Sequence, residues 1–478
     1  MTKSYSKDPE VDQSLRRSVR DGVSYSVMSG SGETYLSAYA LFLKASTAQI
    51  ALLAALPPLI GSFVQLFSAW FGKRIGKRKV IILSGVILQA LLWLPIIWLP
   101  YFFPDHAVSI LLVCVILYAA AGHVATPVWS SLMGDLVPDG RRGQYFAHRT
   151  ALMNLASFLA LVGAGALLDY FRAGGATRLG FTLVFSVAAL ARLLSAYHIS
   201  HMIEPPHPAG RPISYKGLLQ RIRQSSFARF SLFFALMNFA VYIASPFFTV
   251  YMLRDLKFSY LQFMGATAAA VLMQFLALRA WGYVSDTFGN RLILAIAGSS
   301  IALLPALWLI STNYWYIIAV QMLSGLSWAG FSLSAGNFVY DAVAPSKRAM
   351  YVALHNILSS GGVFLGALLG GFLGLHLPAQ TVFLGYRIDW VSNLSWVFLI
   401  SALARIGMAA LFIPYLREVR PVRPLPARNL ILRASQLSAF TDLLFNLFTL
   451  GQRKPITDKD MFKPLAPREK RKDTREKK

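Results

Sequence analysis

Apolar runs of about twenty residues follow one another with short polar breaks from residue 22 to residue 414. A helix rises about 1.5 Å per residue, so a run of that length crosses the roughly 30 Å hydrocarbon layer of a bilayer. Twelve spans fit the pattern: 22–45, 48–71, 80–101, 107–131, 150–170, 179–202, 228–252, 260–281, 292–310, 315–338, 351–374 and 391–414. In lipid each backbone polar group must bond within its own segment, so the runs predict helices and the fold class is all-α membrane protein. Composition agrees: 56% hydrophobic residues against 14% charged is far outside the range of soluble domains. The first span is the least apolar, carrying "SYSVMSGSGETY", as a helix lining a polar cavity should. It follows about twenty polar residues and lacks a small-residue cleavage site, so it reads as a retained span.

Charge sets the orientation. With the N-terminus inside, the inner segments hold 37 lysines and arginines and the outer ones six; leaving out everything after residue 414 the ratio is still 21 to six. Both termini are therefore expected in the cytoplasm. The net charge of +25 lies between the apolar runs and in the tail. That pattern suits anionic lipid headgroups better than nucleic acid, and no nucleic-acid partner is expected. The single cysteine, Cys114, excludes an intramolecular disulfide.

The chain repeats itself. An offset of 206 residues lays "DLVPDGRRGQYFA" (135–147) on "DAVAPSKRAMYVA" (341–353), matching Asp135 with Asp341, Arg142 with Arg348 and Tyr145 with Tyr351. An offset of 213 lays "ALAR" (189–192) on "ALAR" (402–405), and "AWFGKRIGKRK" (69–79) on the stretch from Gly282, matching Gly76 with Gly289 and Arg78 with Arg291. Each match is short, but all fall at corresponding places. The expected layout is a tail at 1–21, a six-helix bundle at 22–202, a linker at 203–227, a second bundle at 228–414 and a basic tail at 415–478. Parallel repeats of this kind place a substrate path between the halves.

"GYVSDTFGNR" (282–291) is close to the Gly-x-x-x-Asp-x-x-Gly-x-Arg signature that follows the second and eighth spans of the major facilitator superfamily, and the chain resembles that superfamily over residues 22–414. Gly282, Asp286, Gly289 and Arg291 match, with Asn290 in place of the usual basic residue. The first copy departs, with Ala69 and Lys73 at the glycine and aspartate positions. The opening region also resembles bacterial members, which implies a bacterial inner membrane. The resemblance implies twelve transmembrane helices in two pseudo-symmetric bundles, and a latch at these four residues. In that latch Asp286 would accept hydrogen bonds or face the N-terminus of span eleven near Tyr351, and Arg291 would pair with an acid or stay with the inner lipid surface.

Glu33 near the middle of span one is costly unless it is paired, solvated or protonated. Three readings stand open: a proton-coupling group, a static partner of Arg192 or Arg405, or a solvated position. His123 in span four is read as a substrate or proton contact, or as a packed histidine. Arg279 near the inner end of span eight is read as snorkelling or as an anion contact. Arg192 and Arg405, at matching places in spans six and twelve, suggest one shared role facing the bundle interior. Asn238, Tyr25, Tyr35 and Tyr242 are candidates for a cavity lining or for ordinary interhelical contacts.

Gly362, Gly366, Gly370 and Gly374 recur every four residues and predict close approach of another helix. Gly163 and Gly165 form a shorter equivalent, and Gly282 and Gly289 are expected to permit close approach and turning. Pro57 and Pro58 are expected to interrupt and bend span two. Residues 426–450 suggest amphipathic helices on the inner membrane surface.

No enzyme constellation is present. His198 and His201 lack a third ligand, and no Gly-rich phosphate loop ends in Lys-Ser or Lys-Thr, so no metal, cofactor or ATP drive is expected. The leading reading is a monomeric secondary active transporter, a symporter or antiporter, that moves a small-molecule substrate by alternating access and couples it to protons through Glu33. The alternative is a non-transporting membrane receptor or lipid-handling protein on the same fold.

Overall fold

A computed structural model of the chain describes residues 5–6, 8–75, 77–138, 142–205, 226–341, 348–383 and 386–415. Among these, eleven helices are long and apolar enough to cross a membrane. A more polar segment before them completes twelve. Residues 206–225 of the linker and the tail beyond residue 415, which includes the 426–450 stretch, lie outside the described residues.

That polar segment is α1 (Pro9–Ser31), a single 3₁₀ turn (Glu33–Tyr35) and α2 (Leu36–Phe42). The helix begins thirteen residues before the expected span, because Asp8 accepts from the amides of Glu10 and Val11 and Pro9 suits the first turn. It breaks at Gly32, where side chains compete for the backbone: Ser31 Oγ donates to Val27 O at 2.7 Å and Thr34 Oγ1 to Ser29 O at 3.2 Å. A Cβ at Gly32 would strike Trp93, so the chain turns where only glycine fits.

The first half continues with α3 (Thr47–Ile75), α4 (Arg78–Phe102), α5 (Ala107–Leu136), α6 (Arg142–Ala173) and α7 (Thr177–Ser200). The second half comprises α8 (Ser226–Ala244), α9 (Phe247–Val250) with a π turn to Asp255, α10 (Tyr260–Phe288), α11 (Asn290–Leu307), α12 (Tyr314–Asp341), α13 (Arg348–His376) and α14 (Leu394–Phe412). A two-stranded antiparallel hairpin, Gln380–Phe383 with Tyr386–Asp389, joins α13 to α14. The repeat extends to the breaks: the offset of 213 carries Ser31, where α1 ends, to Ala244, where α8 ends.

In the first half α1 packs on α6 and α7, and α4 on α5 and α7; in the second, α8 packs on α13 and α14, and α10 and α11 on α12. The halves meet where α3 lies along α13 and where α6 meets α10. Helix α3 runs unbroken through Pro57 and Pro58, so the expected interruption is absent. The cost of the missing donors is confined to carbonyls one turn earlier.

The glycine stripe of α13 is a packing seam. A Cβ at Gly362, Gly366 or Gly370 would collide with the backbone oxygen of Ala235, Phe239 or Ile243 on α8, while Gly374 meets Leu394 and Thr47. Gly165 lies against Met264 and the Tyr35 hydroxyl, whereas a Cβ at Gly163 or Gly282 would meet nothing within 4 Å among the described residues. The expectation of close approach therefore fails at those two positions.

Candidate functional site

A cavity of about 450 Å³ lies within the first half, among α1, α4, α5, α6 and α7. Asp21 and Tyr25, one turn apart on α1, look into it, and the four-residue recurrence continues through Ser29 to Glu33 in the 3₁₀ turn. Glu33 sits at the helix break. Its Oε2 accepts from Ser29 Oγ at 2.5 Å and its Oε1 from Tyr118 Oη at 2.6 Å. It forms no ion pair among the described residues, and neither Arg192 nor Arg405 is its static partner.

Deeper in the bundle two arginines are held on a separate network. Arg192, 6% exposed, donates through Nε and Nη2 to Gln89 Oε1 at 3.0 and 2.5 Å and through Nη1 to Ser195 Oγ at 3.0 Å. Ser195 in turn donates to Asp21 Oδ1 at 2.6 Å. Arg149 pairs with Asp21 Oδ2 at 3.4 Å and donates to Ser18 O at 3.1 Å. The guanidiniums also lie over rings, Arg149 over Trp129 at 4.5 Å and Arg192 over Tyr25 at 4.9 Å. Gly22 makes room for this: a Cβ there would come within 2.8 Å of the Arg149 guanidinium.

His123 lines the same cavity, its ring against Gly61 of α3. Three of the six candidates thus converge: Glu33, His123 and Arg192. Asn238 does not; it donates to Ser359 Oγ at 2.9 Å across the α8–α13 seam. Arg405 is buried in the second half, bonded to Ser401 Oγ, Ile301 O and Val241 O at 3.1 Å each. The Arg279 side chain lies outside the described residues. Tyr25 lines the cavity, Tyr35 donates to Leu161 O at 2.8 Å, and Tyr242 packs on the core of the second half. Among the described residues no three metal-ligating side chains converge.

Asp21, Arg149, Gln89 and Tyr118 are the functional candidates that sequence reasoning missed. Asp21 falls in what looked like a tail and Arg149 in what looked like a loop end. The four-residue recurrence from Asp21 to Glu33 was the signal that could have found the first of them.

In the signature stretch, Gly289 has φ 85°, a left-handed conformation that glycine permits, and closes α10 by donating to Ser285 O at 3.0 Å. Asn290 is fully buried, its Oδ1 accepting from Ser285 Oγ at 2.7 Å and Asn337 Nδ2 at 3.3 Å. Arg291 is exposed. The side chains of Asp286, Ala69 and Lys73, and Gly76 altogether, lie outside the described residues. In the first copy Arg78 is buried and pairs with Asp135 at 2.6 Å, joining two residues that the repeat marks.

The end of the bundle opposite residues 8–14, the far end, is tied across the halves. Arg172 Nη1 donates to Phe258 O at 3.2 Å and its guanidinium lies 5.4 Å from the Tyr260 ring centre. Asp169 accepts from the Leu261 amide at 3.3 Å, in the first turn of α10.

A model of the major facilitator superfamily matches twice, over residues 22–248 and 230–458. The chain belongs to the major facilitator superfamily. Its fold is that of the superfamily's two helical bundles, and its family and fold are those of multi-pass membrane transporters. Among curated proteins it is similar to major facilitator superfamily domain-containing protein 10 of Bos taurus, 29% identical over 38% of this chain and 37% of that protein. The Homo sapiens protein of that name is 25% identical over 40% of this chain and 38% of its own length. The matches thus span well under half of these relatives. Among solved structures, the nucleoside transporter NupG aligns with a TM-score of 0.64 at 14% identity, covering 85% of this chain and 99% of that one. A bacterial homologue of the iron transporter ferroportin, in an inward-facing state, gives the same score, identity and coverage. At such identity the likeness is one of fold.

Proposed function

We propose that this superfamily member is a secondary active transporter that moves a small solute by alternating access and couples the movement to protons at Glu33. The observation that carries the reading is a carboxylate on the cavity of the first half held by two neutral hydroxyls, with no cation beside it among the described residues. Such a group exchanges a proton without first breaking an ion pair. The charge bias puts the end carrying residues 8–14 in the cytoplasm. The ties of Arg172 and Asp169 then close the outer end, and the four signature residues act as an inner latch. Basic residues of the tail meet anionic headgroups. The neighbours' substrates are not transferred, because 14% identity carries only the fold.

Proteoliposomes holding the purified protein and a pH dye test this. Uptake of a solute from a broad panel should acidify or alkalinise the lumen in proportion, and Glu33→Gln should lose the proton movement. Undiminished pH-dependent uptake by Glu33→Gln would remove Glu33 from coupling, and no uptake of any solute would overturn transport.

A further inference from the structure

We infer that the cavity of the first half binds an organic monoanion with an apolar or aromatic body, and takes it up together with one proton as an electrically neutral pair. The inference rests on the reading of Glu33 as the proton site and goes beyond it in naming the substrate class. It begins with the charges. Two carboxylates, Asp21 and Glu33, and two guanidiniums, Arg149 and Arg192, line one cavity. Asp21 neutralises Arg149 directly and touches Arg192 only through Ser195. Arg192 and Glu33 are then the balancing pair, although they do not touch; Tyr25, over whose ring Arg192 sits, lines the same cavity as Glu33.

The empty cavity with Glu33 ionised is therefore neutral. A proton on Glu33 leaves one positive charge, and an anion alone leaves one negative charge. Either imbalance is costly beside charges as buried as Asp21, 4% exposed, and Arg192, 6% exposed, and the two together restore neutrality. Binding of proton and anion is thus mutually reinforcing, and the reinforcement is reciprocal.

The groups that face Glu33 permit this count. On α1 they are Asp21 and Tyr25, on α5 Tyr118 and His123, on α6 Arg149, and on α7 Arg192 with His198 beyond it; α4 contributes the uncharged Gln89. His123 lies against Gly61 with no carboxylate partner among the described residues and counts as neutral.

Donor inventory names the anchor. Arg192 has all three guanidinium nitrogens engaged. Arg149 uses Nε and Nη2, and its Nη1 has no acceptor among the described residues. Its bond to Asp21, at 3.4 Å, is also the longest in the network. An anionic head on Arg149 would lie beside Trp129 and Met153, which suits an apolar body.

Isothermal titration of the detergent-solubilised full chain tests the assignment without requiring transport. The monoanions 2-naphthoate, benzoate and octanoate are compared with neutral 2-naphthamide and cationic naphthylmethylammonium, in two buffers of different ionisation enthalpy. At least one monoanion should bind with close to one proton taken up, and its affinity should rise up to tenfold for each unit of falling pH. Glu33→Gln, nearly isosteric, should bind the same anion with no proton uptake and a flat pH profile. Arg149→Gln should weaken it at least thirtyfold. Failure of all three monoanions to bind, binding with no proton uptake, or a preference for the ammonium would each overturn the proposal. If a monoanion binds with its proton but proteoliposomes move nothing, the transport reading fails and this one stands. If another solute is transported and no monoanion binds, the reverse holds.

Discussion

His355 on α13 lies tilted against Phe234 on α8, ring centres 4.8 Å apart, at the place where the repeat puts Arg149 and Asp21 in the other half. The offset of 213 carries Asp21 to Phe234 and Ser18 to Ser231, and the offset of 206 carries Arg149 to His355. The bonding pattern is kept while the chemistry changes. Arg149 donates to the Ser18 carbonyl, and His355 Nδ1 lies 3.2 Å from the Ser231 hydroxyl. One half carries a charged network on a cavity, and the other closes the same position with rings from Phe227, Phe230 and Phe234.

This asymmetry predicts unequal effects at matched positions. Asp21→Asn leaves the Arg149 guanidinium, 11% exposed, without its carboxylate, which costs about 3 kcal/mol, and uptake should fall to background. His355→Phe loses one hydrogen bond, about 1 kcal/mol, and should leave uptake near wild type. Thermal unfolding in detergent and uptake by proteoliposomes check both.

Neighbouring glycines on α13 should respond in opposite ways. Gly362→Ala and Gly366→Ala each force a methyl into an α8 carbonyl, a loss of about 1–3 kcal/mol through overpacking. Gly361→Ala meets nothing within 4 Å and should be neutral or slightly stabilising. Melting temperatures of the three variants decide it. Equal shifts would mean that the seam is not tight.

Asn290→Arg restores the residue type usual in the superfamily signature, yet it should destabilise this protein. The site is fully buried, and the substitution removes the acceptor shared by Ser285 and Asn337 while adding a charge. Each stranded donor costs about 1–3 kcal/mol. Asn290→Ser, which keeps an acceptor, should cost less in the same unfolding assay.

Arg405 should prove structural. Its Nη1 donates to Ile301 O, a carbonyl that Pro305, four residues on, leaves without a helical donor. Arg405→Leu should lower the melting temperature, with a loss of about 1–3 kcal/mol, and should leave the affinity for any ligand unchanged. A selective loss of affinity would place this arginine on the substrate path instead.

Arg172→Gln and Asp169→Ala should loosen the far-end tie between α6 and α10. Losing one such contact, about 1 kcal/mol, should raise labelling of a cysteine placed at Met264, in a background with Cys114 replaced, by about fivefold. Labelling should come from the outer face. Unchanged labelling would show that these contacts do not hold that end shut.

The sequence alone determined the spans, the two halves, the glycine seam and the interest of Glu33, because each is written in local spacing: about twenty apolar residues per crossing, four residues per close-packed glycine, and a carboxylate in a greasy stretch. Asp8 and Pro9 even carried the signal for the early start of α1, although composition made that stretch look like a tail. What only the tertiary structure decided is which polar groups meet. Asp21, Gln89, Arg149 and Ser195 come from four helices, and no spacing within one helix states which others it packs against. The two arginines of the repeated "ALAR" show this most plainly. Arg192 reaches a glutamine and a serine, and Arg405 reaches two carbonyls and a serine, because identical local sequence is completed by different neighbours.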